Sequence, residues 1–94
     1  MEGGDLLFMY TVYMLHCRGG ALYTGIARDL AKRLAEHRAG KGSKYVRSRL
    51  PVRVVLTESA RTLSAALKRE AAIKRMSRAF KRQLVRGLRM ERSS

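Results

Sequence analysis

Residues 8–17, FMYTVYMLHC, are apolar on both alternating faces and rich in aromatic and β-branched types, the pattern of a strand buried on two sides. RGG at 18–20 is turn chemistry, and ALYTGI at 21–26 resumes the strand pattern, so the two segments predict a hairpin. From Asp29, a candidate N-cap, Leu30, Ala31, Leu34 and Ala35 recur at helical spacing until AGKG ends the run. SKYVRSRL at 43–50 fits one or two helical turns, and Pro51 then opens a third strand, PVRVVLTE. The remainder reads as helix. Leu63, Ala66, Leu67, Ile73 and Met76 form one apolar stripe, while Phe80, Leu84 and Leu88 continue in a different phase, which predicts a break at 76–79 and a frayed tail from about Arg89.

No repeat, linker or low-complexity segment interrupts this order. With 94 residues, the chain is long enough for one small core and too short for separate catalytic and recognition domains. The expectation is one domain over 1–94, with a core of about 8–86 and tails at 1–7 and 89–94. Its fold class is α/β: a small three-stranded, mainly antiparallel sheet flanked by helices, drawn as one layer of each.

Charge narrows the partner. Against 7 Asp and Glu stand 21 Lys and Arg, a formal net charge of +14, which calls for a polyanion. Nucleic acid ranks first; an anionic membrane ranks second, because the helices lack the aromatic anchors of an interfacial binder. Cys17 is the only cysteine, so no internal disulfide forms and a reducing compartment is the simpler expectation. The start MEGGDLLFMY is acidic and has no small-residue cleavage site, and no apolar run reaches membrane-spanning length, so a cytoplasmic protein is expected.

The hairpin raises the first chemical question. If its loop is Arg18, Gly19 and Gly20, then Leu15 faces Tyr23 and Tyr13 faces Gly25, so the two tyrosines share a face as diagonal neighbours roughly 7–8 Å apart. Gly25 opposite Tyr13 would then leave room for something to approach the sheet. A two-residue loop would place the phenols on opposite faces, and two core aromatics with polar tips account for the spacing equally well. Arg33 and His37 stack four apart on the first helix, beside its apolar stripe, with Lys32 adjacent. Each alone fits a solvated arginine and a helix-terminal histidine.

The acidic residues sort by elimination. Glu2, Asp5 and Glu91 lie in tails, Asp29 caps a helix, Glu36 falls on an outer face and Glu58 ends a strand. Glu70 sits on the apolar stripe between Leu67 and Ile73, aimed at the sheet. An inward carboxylate costs several kcal/mol unless paired or bound to a metal. Two readings stand: a pair with Arg33 or a tyrosine, or a ligand for a hard cation such as Mg²⁺, with Mn²⁺ as substitute. No Cys and His cluster has zinc spacing, and no small-molecule cofactor motif is present.

VYM at 12–14, YTG at 23–25, Arg33 ten residues on, His37 four further and Glu70 on a later helix together resemble the GIY-YIG nuclease domain, over about Phe8 to Leu84. The chain is most similar to the short stand-alone bacterial members. Val12, Met14 and Thr24 depart from the motif letters, and both tyrosines are kept. The resemblance implies a metal-dependent endonuclease that hydrolyses DNA, of the kind active in DNA repair, with Tyr13, Tyr23, Arg33, His37 and Glu70 as catalytic residues and Glu70 as metal ligand. Tyr23, ahead of Tyr13, would take the proton of the attacking water, with His37 as a proton partner. Lys32, Lys41, Lys44, Tyr45 and Arg47 are candidate nucleic-acid contacts, through phosphate or by stacking a base. The absence of a separate duplex reader favours single-stranded or branched DNA, with RNA as a further substrate class. The alternatives are a noncatalytic basic module on the same fold and a basic ribosome-associated packing protein.

Overall fold

Strand β1 (Tyr10–Cys17) is the middle of a three-stranded sheet, flanked by β2 (Leu22–Ala27) and β3 (Val52–Ala60), both antiparallel to it. The computed structural model describes residues 9–93, with side chains as far as residue 87; the expected tail at 1–7 and the side chains of the expected tail at 89–94 lie outside the described residues. A central strand must be apolar on both faces, and β1 is: Tyr13, Leu15 and Cys17 are buried on one side, Val12 and Met14 on the other. The hairpin loop is the three-residue turn Arg18–Gly20, in which Gly19 and Gly20 take positive φ angles of 82° and 84°. Its length sets the register, Leu15 against Tyr23 and Tyr13 against Gly25.

Helix α1 (Leu30–Arg38) starts at Asp29, whose side chain accepts from the Lys32 amide. One turn, α2 (Lys44–Arg47), is capped by Ser43. Helix α3 (Leu63–Arg75) is capped by Thr62, and the chain turns extended at Met76 before α4 (Arg78–Ser93), inside the expected break. The backbone of α4 is helical to Ser93.

The helices cover both faces, not one, giving three layers in place of a sheet and a single helical layer. Leu30 and Leu34 of α1 and Val46 of α2 pack with Tyr13, Leu15 and Cys17. Ala66 and Ile73 of α3 and Val85 of α4 pack with Val12, Met14 and Leu56 on the reverse side. The apolar stripe read along α3 is therefore only partly core: Leu63 and Leu67 are 48% and 49% exposed, and Phe80 on α4 is 62% exposed. Among the described residues no helix is long and apolar enough to cross a membrane.

Candidate active site

The register brings the two phenols together, with ring centroids 6.3 Å apart. Gly25 has a different task from the one its position suggested. A Cβ built there would lie 2.6 Å from Tyr13 Oη and 2.7 Å from Cζ, so the space is taken by the Tyr13 ring itself, which lies across the edge strand. Gly25→Ala is expected to displace a side chain that is 1% exposed and to cost roughly 1–3 kcal/mol, the range for overpacking a closed site. A thermal melt would read this as a fall of about 4–8 °C per kcal/mol; a variant melting with the parent would show that the ring has room to move.

Beyond Gly25 the Tyr13 hydroxyl meets His37, in the last turn of α1, at 2.8 Å from Nε2. His37 is fully buried, and its ring makes edge contacts with both tyrosines, with centroids 6.0 Å from Tyr13 and 5.4 Å from Tyr23. Gly42 is packed so closely on the imidazole that any side chain there would overlap it, and Nδ1 has no hydrogen-bond partner. Burial, and secondly the Arg33 cation, hold the His37 pKa below its ordinary 6.5, with Glu36 partly opposing. Burial likewise pushes the Tyr13 phenol above its ordinary 10.0; the nearby Arg33 guanidinium opposes this, and the charge of Glu70 adds to it. Both groups are therefore neutral at pH 7.

The depressed His37 pKa fixes the sign of a pH effect. The unfolded chain binds this proton more readily than the folded one, so stability is full above about pH 6.5 and falls as pH drops through and below it. The melting temperature is expected to decline on that limb in the parent and to decline less in His37→Gln. Parallel declines in the two proteins would remove His37 as the cause.

Arg33 is half-buried and shared. Its Nη1 lies 3.2 Å from Glu36 Oε1, one turn on, with both side chains partly exposed. Glu58, expected to be solvated, is held by Arg69 through two bonds of 2.6 and 2.9 Å. Glu70 pairs with neither Arg33 nor a tyrosine: its Oε2 lies 3.3 Å from Lys74 Nζ, one turn on, and the Lys74 side chain is 55% exposed.

Glu70 reaches the tyrosines by an unexpected route. The sheet face that carries Tyr13 and Tyr23 is covered by α1 and α2, whereas α3 packs on the reverse face. The two helical layers meet beyond the edge strand β2. There a cleft of about 420 Å³ is bounded by Tyr13, Tyr23 and Arg33 on one side and by Leu63, Leu67 and Glu70 on the other. Laying the Tyr13 ring over Gly25 brings the phenol to this edge. Four of the five expected catalytic residues line the cleft, and His37 stands behind them in contact with Tyr13.

The expected nucleic-acid contacts fare differently. Lys32, Lys41, Lys44 and Arg47 are exposed outside the cleft walls. Tyr45 stacks on Tyr23 at 6.1 Å and carries the Arg49 guanidinium 3.8 Å from its ring centroid, and it remains 41% exposed. Sequence reasoning passed over Tyr10 and Arg28, which line the cleft with Arg28 5.7 Å over the Tyr10 ring. It also passed over Arg49 and Gly42. The only signal for Gly42 was a second glycine two residues after Gly40.

Among the described residues no three His, Cys, Asp or Glu side chains group to hold a metal, which does not suit a fully protein-ligated ion. One partly exposed carboxylate opening on a cleft does suit a hard, hydrated cation that takes its other oxygens from water and substrate.

The model of the GIY-YIG catalytic domain matches residues 9–83. A UPF0213 protein of Cupriavidus pinatubonensis is 54% identical over 70 residues, covering 74% of this chain and 78% of the relative. One from Halobacterium salinarum is 47% identical over 76 residues, covering 81% and 99%. Among solved structures, a protein from E. faecalis has 36% identity and a TM-score of 0.62 over 87% of this chain and 88% of its own. A UPF0213 protein from Bacillus halodurans has 40% identity and a TM-score of 0.55 over 82% of each. GIY-YIG domains are generally nucleases that depend on a divalent metal, so the domain implies a nucleic-acid substrate. The match begins just before β1 and ends within α4, leaving no strand of the sheet outside it, and the chain belongs to the GIY-YIG family, among its short UPF0213 members.

Proposed function

We propose that this protein is a divalent-metal-dependent endonuclease that hydrolyses phosphodiester bonds in DNA, acts by preference on single-stranded or branched DNA, and works in the cytoplasm. The observation that carries the proposal is the buried 2.8 Å contact between Tyr13 Oη and His37 Nε2, set behind a cleft that also holds Arg33 and Glu70. Hydrolysis needs a base for the attacking water and positive charge for the phosphoryl oxygens. Neither a neutral phenol nor a neutral imidazole is a strong base alone, but in series they form a relay. The Arg33 cation favours charge on the Tyr13 oxygen, and Nε2, 2.8 Å from Tyr13 Oη, would accept the phenol proton in the tautomer that carries hydrogen on Nδ1. As Tyr13 Oη accepts the proton of water, its own proton passes to His37, so the phenol is never a free anion.

This relay favours Tyr13 over Tyr23 as the phenol that acts on water, reversing the order expected from the sequence. Tyr23, held between His37 and Tyr45, forms the wall against which Tyr13 is fixed. Arg33 is placed to hold a nonbridging phosphate oxygen. Glu70 would hold Mg²⁺, or Mn²⁺ in its stead, which when bound polarises the phosphate and steadies charge on the leaving oxygen. A noncatalytic binding module gains nothing from Glu70, since a carboxylate facing the cleft repels phosphate.

The test is incubation with end-labelled single-stranded, duplex and branched DNA and with RNA, in Mg²⁺, Mn²⁺ or EDTA. Cleavage of the nonduplex DNAs with either metal, and none in EDTA, is the expected result. Tight binding without cleavage of any substrate would overturn the proposal in favour of a binding module.

A further inference from the structure

Two cavities outside the active cleft share a wall and a sign of charge. The first, about 220 Å³, lies on the reverse face of the sheet, where His16 and Arg53 of β1 and β3 face Arg82 and Arg86 of α4 across Leu22 and Val85. The second, about 250 Å³, is lined by Arg78 and Lys81 of α4, by Ala21 and Leu22 at the start of β2, and by Tyr45. Leu22 belongs to both cavities, and Tyr45 is stacked on Tyr23 of the active cleft. Neither is lined by a carboxylate. Arg78 is fixed to the hairpin turn by a 2.8 Å bond to the Gly20 carbonyl, so α4 is tied to the sheet where the two cavities adjoin.

From this continuity we infer that the nucleic acid leaves the active cleft past Tyr45, rounds the hairpin end of β2 and lays its phosphates on Arg78, Lys81, Arg82, Arg86 and Arg53 on the reverse face of the sheet. The inference rests on the nuclease reading for its ligand, and it names a surface that the cleavage chemistry does not use. The chemistry fits a flexible single strand. The track bends around a strand edge, which a stiff duplex does not follow, and it offers guanidinium groups at the spacing of side chains along one helix. It also gives the positive charge of α4 a definite path.

The experiment measures affinity in EDTA, where cleavage does not interfere, for a thymidine trinucleotide and for a thymidine oligomer of about twenty residues. Arg82→Ala with Arg86→Ala is compared with Lys68→Ala with Arg75→Ala, which removes the same charge from exposed positions on α3 that line neither cavity. All four residues are exposed, and melting temperatures check that both variants fold. The track predicts that the α4 variant loses about tenfold in affinity for the long oligomer and lowers the slope of log K against log salt by about 1.4, the value for two single-strand phosphate contacts. The trinucleotide should bind both variants alike. Equal losses in the two variants would reduce the track to diffuse charge and overturn it while leaving the nuclease reading in place. Failure of the parent to bind either oligomer would remove the nucleic-acid ligand, and the track with it.

Discussion

Glu70→Gln is expected to abolish cleavage, by at least about 10³-fold in single turnover, while the protein keeps its fold and its affinity for DNA. The amide preserves shape and removes the charge that a Mg²⁺ ion requires. The structure makes this substitution more decisive than it would be if Glu70 were the partner of Arg33. Its partner is Lys74, a half-exposed residue one turn away, and such a pair contributes only a few tenths of a kcal/mol. The melting temperature should therefore move by no more than about 2 °C. Affinity measured in EDTA should hold or rise slightly, because a negative charge leaves a cleft that receives phosphate. A well-folded Glu70→Gln protein cutting near the parent rate with Mg²⁺ would overturn the assignment of Glu70 to the metal. A large loss of stability would make it structural.

Tyr13→Phe is the second large effect, and its comparison with Tyr23→Phe identifies the working phenol. Removing the Tyr13 hydroxyl breaks the relay and should cut the rate by about 10²–10⁴, the span of general acid–base catalysis. It also strands His37 Nε2 in a fully buried setting, at a cost of roughly 1–3 kcal/mol, so a lower melting temperature should accompany the loss. Tyr23→Phe should retain most of the rate. The parent's single-turnover pH profile should lose activity on the acid side only below about pH 6.5, since His37 must be neutral to receive a proton and its pKa is held below that value. The reverse ranking, with Tyr23→Phe inactive and Tyr13→Phe within about tenfold of the parent, would return the role to Tyr23.

Much of this site was legible before any coordinates. A strand places its side chains with a period of two, and a short loop fixes how two strands pair, so the sequence left two placements of Tyr13 and Tyr23, and the three-residue turn at Arg18–Gly20 selected the one that sets them side by side. Helical spacing placed Arg33 and His37 on one face and aimed Glu70 inward. Asp29 as an N-cap followed from local chemistry that the residue carries in any surroundings, and the break at Met76 followed from the change in phase of the apolar stripe.

The partner of each charged group was less legible. The chain holds many cations for few carboxylates, and periodicity does not say which will meet: Arg33 takes Glu36, Arg69 takes Glu58, and Lys74 takes Glu70. Nor does it say why a glycine is present. Gly25 is empty so that the Tyr13 ring can cross it, and Gly42 so that His37 can sit beneath it, and each reason lies on another element of the fold.

The sequence by itself determined the elements and, once the hairpin loop is three residues long, the register that follows from it, because those depend on backbone periods and on turns of a few residues. Only the tertiary structure decided that α1 and α3 lie on opposite faces of the sheet, that the site forms where their layers meet beyond β2, and that Leu63 and Leu67 line a cleft instead of filling a core. The physical reason is that an amphipathic helix specifies which of its own sides is apolar. Which sheet face receives that side is settled by the burial of the whole chain at once, and a central strand apolar on both faces, such as β1, accepts a helix on either.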